Sequence, residues 1–413
     1  MDISKGRIGE IVITPAAILI LLLVGGCGSR KPDSISELIV EAWLKGFVGT
    51  NAYGFDLNEN GQPSGSSTQQ VPQSIQSLAT ATSGTRSGGP ASNDTPLFSF
   101  SLLGWRVKAA AVTSAPSTNA YVLDEVNLFQ LDPTTGQVIG TLNLTAPPLT
   151  GIPVRFALTS DGKSAVITNT SQTGFQTNSP YVLIVDLSSL TITANISIPV
   201  SALAYGVAIT PDNKFAYVVT QSPANSQNTV YVIDLNAQTV ATSIPLLNYT
   251  GLTNIVMTPD GTEAYLNSCC GADLKIPVID ILTNIDAIDV PTYYYSSATG
   301  LIYPDAPAYM AMHPDGTRVY LAPMDGTPIR VLNTATKIIT KLISVPQGSA
   351  PTPGTDPVFT QNGRFLFVLD TPGSIAVIDT LGDTLASTIP LDPSVANAPP
   401  GGVKIGILVV PGN

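Results

Sequence analysis

Histidine is almost absent from this chain: His313 is the only one in 413 residues. A lone imidazole builds neither a histidine-rich metal centre nor a nucleophile–base pair, so copper, haem and triad chemistry have no ligands or partners to stand on. Charge is scarce too, at 11% of residues, and its balance is acidic, with 18 Lys and Arg against 29 Asp and Glu for a net −11. Without clustered bases a phosphate backbone finds no footing, which excludes nucleic acid as a partner. Cysteine is limited to Cys27, Cys269 and Cys270, too few for a disulfide framework. No long amphipathic helical pattern is visible either.

What is present is β-sequence in quantity. Hydrophobic residues make up 44%, and 35 Gly and 34 Pro supply turn formers for many short strands. The stretch Tyr205 to Leu246, YGVAITPDNKFAYVVTQSPANSQNTVYVIDLNAQTVATSIPL, is one complete unit. Four runs rich in Val, Ile, Tyr and Thr are separated by Pro-Asp-Asn, a polar loop and Leu-Asn-Ala-Gln, which predicts a four-stranded antiparallel meander. Such a sheet cannot cover both its faces alone, so copies must stack.

Two markers count the copies. An apolar residue followed by Asp ends the third strand at Asp56, Asp132, Asp186, Asp234, Asp280 and Asp379, with Asn333 in the same place, giving seven. The turn between strands one and two reads Ser160-Asp161-Gly162, Pro211-Asp212-Asn213, Pro259-Asp260-Gly261, Pro314-Asp315-Gly316 and Gln361-Asn362-Gly363, with weaker copies at Ala115-Pro116-Ser117 and Pro411-Gly412-Asn413. Its spacings are 45, 51, 48, 55, 47 and 50 residues. Four strands repeated at that period predict an all-β, seven-bladed β-propeller. The chain ends after a single first-strand run, residues 403–410, while 44–50 and 53–56 read as second and third strands, so the C-terminal strand is expected to complete an N-terminal blade and close the ring. If those early strands are misread, the count falls to six. Residues 63–96 read as a flexible Ser/Thr/Gln/Gly-rich insertion, with Leu97 to Leu102 resuming as a fourth strand.

The N-terminus reads as a targeting segment. Lys5 and Arg7 precede an apolar run, Ile11 to Val24, of signal-peptide length and short for a spanning helix. It ends in Leu23-Val24-Gly25-Gly26-Cys27, which resembles the bacterial lipobox. That resemblance implies cleavage before Cys27, lipid on its thiol and anchoring in a membrane. The expected organisation is a signal peptide over 1–26, a tether over 27–38 and the propeller over 39–413. Asp2 and Glu10 cancel Lys5 and Arg7, so the processed chain keeps its −11. Export, with an outer-membrane or surface location, is the expectation, and the periplasmic face is the alternative.

Tyr231-Val232-Ile233-Asp234, Pro259-Asp260-Gly261 followed by Ala264-Tyr265, and Phe215-Ala216-Tyr217-Val218-Val219 resemble the YVTN-type β-propeller repeats of bacterial and archaeal surface proteins. The resemblance covers residues 106–413 well and 40–105 poorly, and Asn333, Gln361 and the truncated last turn depart from it. Related propellers include lactonases of the phosphogluconolactonase type, nitrous-oxide reductase and quinoprotein dehydrogenases. The repeat motif itself implies strands and turns, not chemistry.

Residues outside the repeat carry the functional expectations. His313 stands where other copies have Thr159, Thr210 or Thr258 and reads as a turn residue. Cys269 and Cys270 are adjacent in a loop between strands two and three. They read as two small buried residues or an inert bridge, with a strained, redox-sensitive vicinal disulfide as the alternative. Asp56-Leu57-Asn58-Glu59-Asn60-Gly61 matches half a calcium loop, but Ser67 stands at the twelfth position, so it reads as a Gly-closed hairpin. Residues 290–307 form the longest connection, carrying Tyr293, Tyr294, Tyr295 and Tyr303, which either cover the ring locally or offer a contact surface to a glycan, peptide or protein. No cofactor and no metal are expected. The function expected is a non-catalytic binding or scaffold module; the alternative is an enzyme of lactonase or quinoprotein type, favoured if Asp273, Asp305, Asp325, Asp370 and Arg318 cluster at one channel mouth.

Overall fold

The computed structural model describes residues 35–41, 51–57, 63–64, 97–101 and 109–112, most of 119–390, and 405–409. The larger stretches outside the described residues are 1–34, 42–50, 58–62, 65–96, 102–108, 113–118, 132–137, 172–179, 222–227, 269–274, 296–301, 304–308, 323–327, 346–355 and 391–404. For the strands up to residue 112 and for 405–409 the description is of backbone alone. Every regular element among the described residues is a strand, and no helix there is long and apolar enough to cross a membrane.

Six four-stranded antiparallel sheets succeed one another along the chain, I over 109–143, II over 151–197, III over 203–246, IV over 252–291, V over 309–343 and VI over 358–390. In each, the strands lie side by side in chain order, the meander expected of Tyr205 to Leu246. The apolar runs are continuous rather than alternating because these sheets bury both faces. In Phe215–Gln221, Tyr217 and Val219 pack with Ile255 and Leu266 of sheet IV, while Ala216 and Val218 pack with Val166 and Ile184 of sheet II. The same split joins sheets I and II through Leu123, Phe156 and Ile167, and sheets V and VI through Tyr320, Leu366 and Ile378. Successive side chains of a strand point to opposite faces, so each central strand feeds two cores. The outermost strands differ: Thr239–Leu246 shows most side chains to water until Ile244 and Leu246 turn inward.

The first strands form an inner layer. Ala109–Val112 lies against Gly151–Leu158, that strand against Leu203–Ile209, and so on through Leu252–Met257 to Tyr309–Met312. The C-terminal strand Ile405–Val409 lies against both Val358–Phe359 and Ala109–Val112.

A seventh, five-stranded sheet gathers both ends of the chain, in the order Pro63–Ser64, Asn51–Leu57, Ile35–Glu41, Leu97–Ser101, Ile405–Val409. Ile405 pairs with Ser101 and Val409 with Leu97, antiparallel. Leu97–Ser101 is not a fourth, outer strand but lies second, between the C-terminal strand and Ile35–Glu41, to which it runs parallel. The parallel pairing needs no crossover of its own, because Asn51–Leu57 runs back antiparallel and leaves Leu57 at the same end of Ile35–Glu41 as Leu97. The strand Ile35–Glu41 also takes in the last residues of the segment read as tether, and residues 44–50, read as a strand, lie outside the described residues.

Candidate functional site

Aligning the sheets at their first turn exposes a polar tier on the inner strands. The position four residues ahead of Thr159, Thr210, Thr258, His313 and Thr360 is held by Arg155, Gly206, Asn254, Tyr309 and Asp356. Three of these meet although they come from sheets II, IV and VI. Arg155 Nη1 lies 2.7 Å from Asp356 Oδ2, and Asn254 Nδ2 donates to Asp356 Oδ1 at 2.8 Å. The Arg155 and Asp356 side chains keep 19% and 32% of their surface accessible, so the group is enclosed by protein yet reached by water. Enclosure pushes the Asp356 carboxyl up, with Arg155 acting the other way.

The supports of this group are unequal. Arg155 pairs in ladder with Thr168, and its N–H donates to Thr168 Oγ1 at 3.2 Å. Thr168 Oγ1 in turn donates to the Tyr205 carbonyl of sheet III at 2.6 Å. Asn254 pairs with Asn267, and its Oδ1 accepts from Ile255 N at 2.9 Å, which fixes the amide with Nδ2 toward Asp356. Gly206 sits between them in sheet III and leaves no room for a side chain, since a Cβ there would lie 2.7 Å from Asn254 Cα. Asp356 stands ahead of Val358–Phe359, a two-residue strand whose ladder begins at Val358. Pro357, which follows, has no N–H to offer a ladder.

At the other end of the inner strands lie the turns, and their polar groups are spent on structure. Thr210 Oγ1 accepts from Phe215 N at 3.0 Å and donates to Asp212 Oδ1 at 2.6 Å, while Asn213 N donates to Thr210 O at 2.8 Å. The last turn residue has positive φ in every described copy: Gly162, Asn213, Gly261, Gly316 and Gly363. Neighbouring turns interlock. A Cβ on Gly261 would lie 2.9 Å from Pro211 Cδ, and one on Gly316 3.0 Å from Pro259 Cδ. Where sheet III has Asn213 instead of Gly, sheet II has Ser160 instead of Pro, and Ser160 N donates to Asn213 Oδ1 at 2.8 Å.

His313 belongs to this system, as a turn residue. Its Nε2 lies 3.1 Å from the Gly363 carbonyl of sheet VI, its Nδ1 2.7 Å from Asp315 Oδ1, and its ring packs edge-on against Phe359 at 5.2 Å. Arg318 donates from Nη1 to Thr380 O at 2.6 Å and Asp383 Oδ1 at 2.9 Å. The second-strand tyrosines reach the next sheet's outer turn: Tyr217 Oη donates to Asn284 Oδ1 at 2.5 Å, Tyr320 Oη to Asp383, and Lys337 Nζ donates to Tyr265 Oη at 2.5 Å. Burial first, then the Asp212 and Asp280 charges, push Tyr217 up to about 12.

Of the residues singled out from sequence, Cys27, Cys269, Cys270 and Tyr293 lie outside the described residues. Tyr294–Tyr295 and Ile302–Tyr303 pair as a small antiparallel ribbon that sets Tyr294 opposite Tyr303; their side chains lie outside the described residues. Asp273, Asp305 and Asp325, and the side chain of Asp370, lie outside them as well, while Arg318 is committed to the turns. Among the described residues no three His, Cys, Asp or Glu side chains group so as to hold a metal ion. Arg155, Asn254 and Asp356 were not anticipated; their signal is a charged or amide residue at one fixed offset before three of the five described turns.

No protein-family profile matches the chain, and no curated protein matches it. Among solved structures it is similar to the hydrazine synthase of Kuenenia stuttgartiensis, with a TM-score of 0.55 and 14% identity over 86% of this chain and 98% of that one. At that identity the likeness is one of fold: an all-β, propeller-like arrangement of four-stranded sheets.

Proposed function

We propose that the protein is an exported, lipid-anchored, seven-bladed β-propeller of YVTN type that works as a non-catalytic binding or scaffold module at the cell envelope. Six regular sheets and the sheet joining both chain ends make the blades, and Ile405–Val409, lying against the first strands of sheets I and VI, closes the ring. The lipobox-like Leu23 to Cys27 supplies the anchor.

The observation that carries the binding role is a contrast in connection lengths. From Thr159, Thr210, Thr258, His313 and Thr360, each first turn returns to a strand bond five residues on. The opposite face is irregular. Strands two and three are joined by 9 residues in sheet II (172–180) and 3 in sheet VI (371–373), and sheets IV and V are separated by 17 (292–308). Length that varies over a rigid scaffold is where binding surfaces are carried, and the paired Tyr294 and Tyr303 sit in the longest of these connections.

The test uses the full chain, extracted from its own envelope in mild detergent and examined by native mass spectrometry. A retained protein, peptide or glycan, lost from the Tyr294→Ser/Tyr303→Ser variant, supports the binding role. A stoichiometric redox cofactor, or hydrolysis of lactones by the same preparation, overturns it in favour of an enzyme. Incorporation of labelled palmitate that Cys27→Ser abolishes supports the anchor; labelling that survives the substitution removes it.

A further inference from the structure

The geometry points to a second site, inside the ring: we infer that Arg155 and Asn254 form a receptor for a small carboxylate ligand, which Asp356 occupies in its absence. The three groups are held unequally. The backbones of Arg155 and Asn254 are fixed by strand ladders; the Arg155 N–H also donates to Thr168 Oγ1, and the Ile255 N–H donates to Asn254 Oδ1 and so orients its amide. They present a guanidinium and an amide N–H to the two oxygens of one carboxylate, at 2.7 and 2.8 Å. A planar, delocalised cation with a neutral donor beside it is how proteins commonly grip a carboxylate. The carboxylate in the grip belongs to the one of these three residues that no ladder holds, since pairing in sheet VI starts only at Val358.

A structural brace would be expected to fix both halves alike. Here the receiving half is pre-organised and the occupant is tethered through an unpaired residue and a proline. The site is also reachable, with a third of the Asp356 side chain accessible, and Gly206 places no side chain between Arg155 and Asn254. A ligand carboxylate takes the place of Asp356 without change in net charge at Arg155, and the freed Asp356 carboxylate turns to water. A tethered occupant competes at an effective concentration in the millimolar range or above, so removing it should raise affinity for the free anion.

The experiment titrates the full chain with sodium acetate, and separately sodium succinate, against sodium chloride at equal ionic strength, following thermal unfolding. Acetate should stabilise Asp356→Ala with a midpoint at least ten-fold lower than it does the natural protein. Arg155→Gln should abolish the effect in both backgrounds. Should the alanine variant not fold, Asp356→Asn, which keeps the shape and drops the charge, reads the same shift. Acetate indistinguishable from chloride in the folded Asp356 variant, or a response that survives Arg155→Gln, would overturn the assignment.

Discussion

At the scale of single residues, the turn between strands one and two shows how much a local motif can say and where it stops. Pro-Asp-Gly is legible as a tight turn because its last position needs positive φ, and all five described copies have it. The choice between Gly and Asn is not legible locally, because it is settled by a turn about fifty residues away. Gly261 and Gly316 face a proline ring that would meet any Cβ, while Asn213 faces Ser160 and bonds it. Ser160→Pro alone should therefore destabilise the protein by about 1–3 kcal/mol through overpacking against Asn213. Adding Asn213→Gly should recover most of that loss, with a coupling of about 0.5–3 kcal/mol in a double-mutant cycle by urea unfolding. Additive effects would mean that the two turns do not interlock. The turn between strands three and four was less legible: its positive-φ position is filled by Leu190, Gln238, Asn284, Lys337 and Asp383, among which only Asn and Asp are usual there.

At the scale of elements, the apolar runs announced strands, and their lack of alternation follows from burial on both faces. The Asp that ends the third strand proves to be a turn cap: Asp234 Oδ1 accepts from Asn236 N at 2.9 Å and Ala237 N at 2.8 Å, and Asp280 Oδ1 from Thr283 N at 2.8 Å. Carboxylates in the turn between strands one and two are held below their ordinary range, Asp212 by the Thr210 hydroxyl first and Asp260 by the Thr258 hydroxyl first. A carboxylate whose folded pKa is depressed adds stability above its unfolded value, about 3.9, and loses it as pH falls through the folded one. Asp212→Asn should accordingly lower the urea midpoint at pH 7, and lower it progressively less below about pH 4. A difference that stays constant from pH 7 to pH 2.5 would show that the Asp212 charge contributes nothing. What strand reading could not supply was order in space: Leu97–Ser101 pairs with residues at both chain ends, and no local pattern encodes a parallel neighbour.

At the scale of the whole molecule, the succession of four-stranded sheets could be read from spacing, since a turn recurs every 45 to 55 residues. The inner tier could not, because Arg155, Asn254 and Asp356 are about a hundred residues apart and meet only when sheets II, IV and VI face one interior. Ending the chain at residue 402 removes the strand that covers Leu97–Ser101 and lies against sheets I and VI. The truncated protein should lose its sharp thermal transition and associate through the bared strand edge, as read by calorimetry and light scattering. A monomer with an unchanged transition would show that the last strand is dispensable.

The pairing of Ile405 with Ser101 spans 304 residues. Bringing chain ends that far apart together costs roughly 5 kcal/mol of loop entropy and belongs among the slow, non-local steps of folding. Sheets II to V can nucleate from local hairpins, but the sheet holding Leu97–Ser101 must wait, its edge open, until the strand ending at Val409 is in place. The interval between those two events is when this protein is most exposed to mispairing, and any chaperone that serves it has its work there.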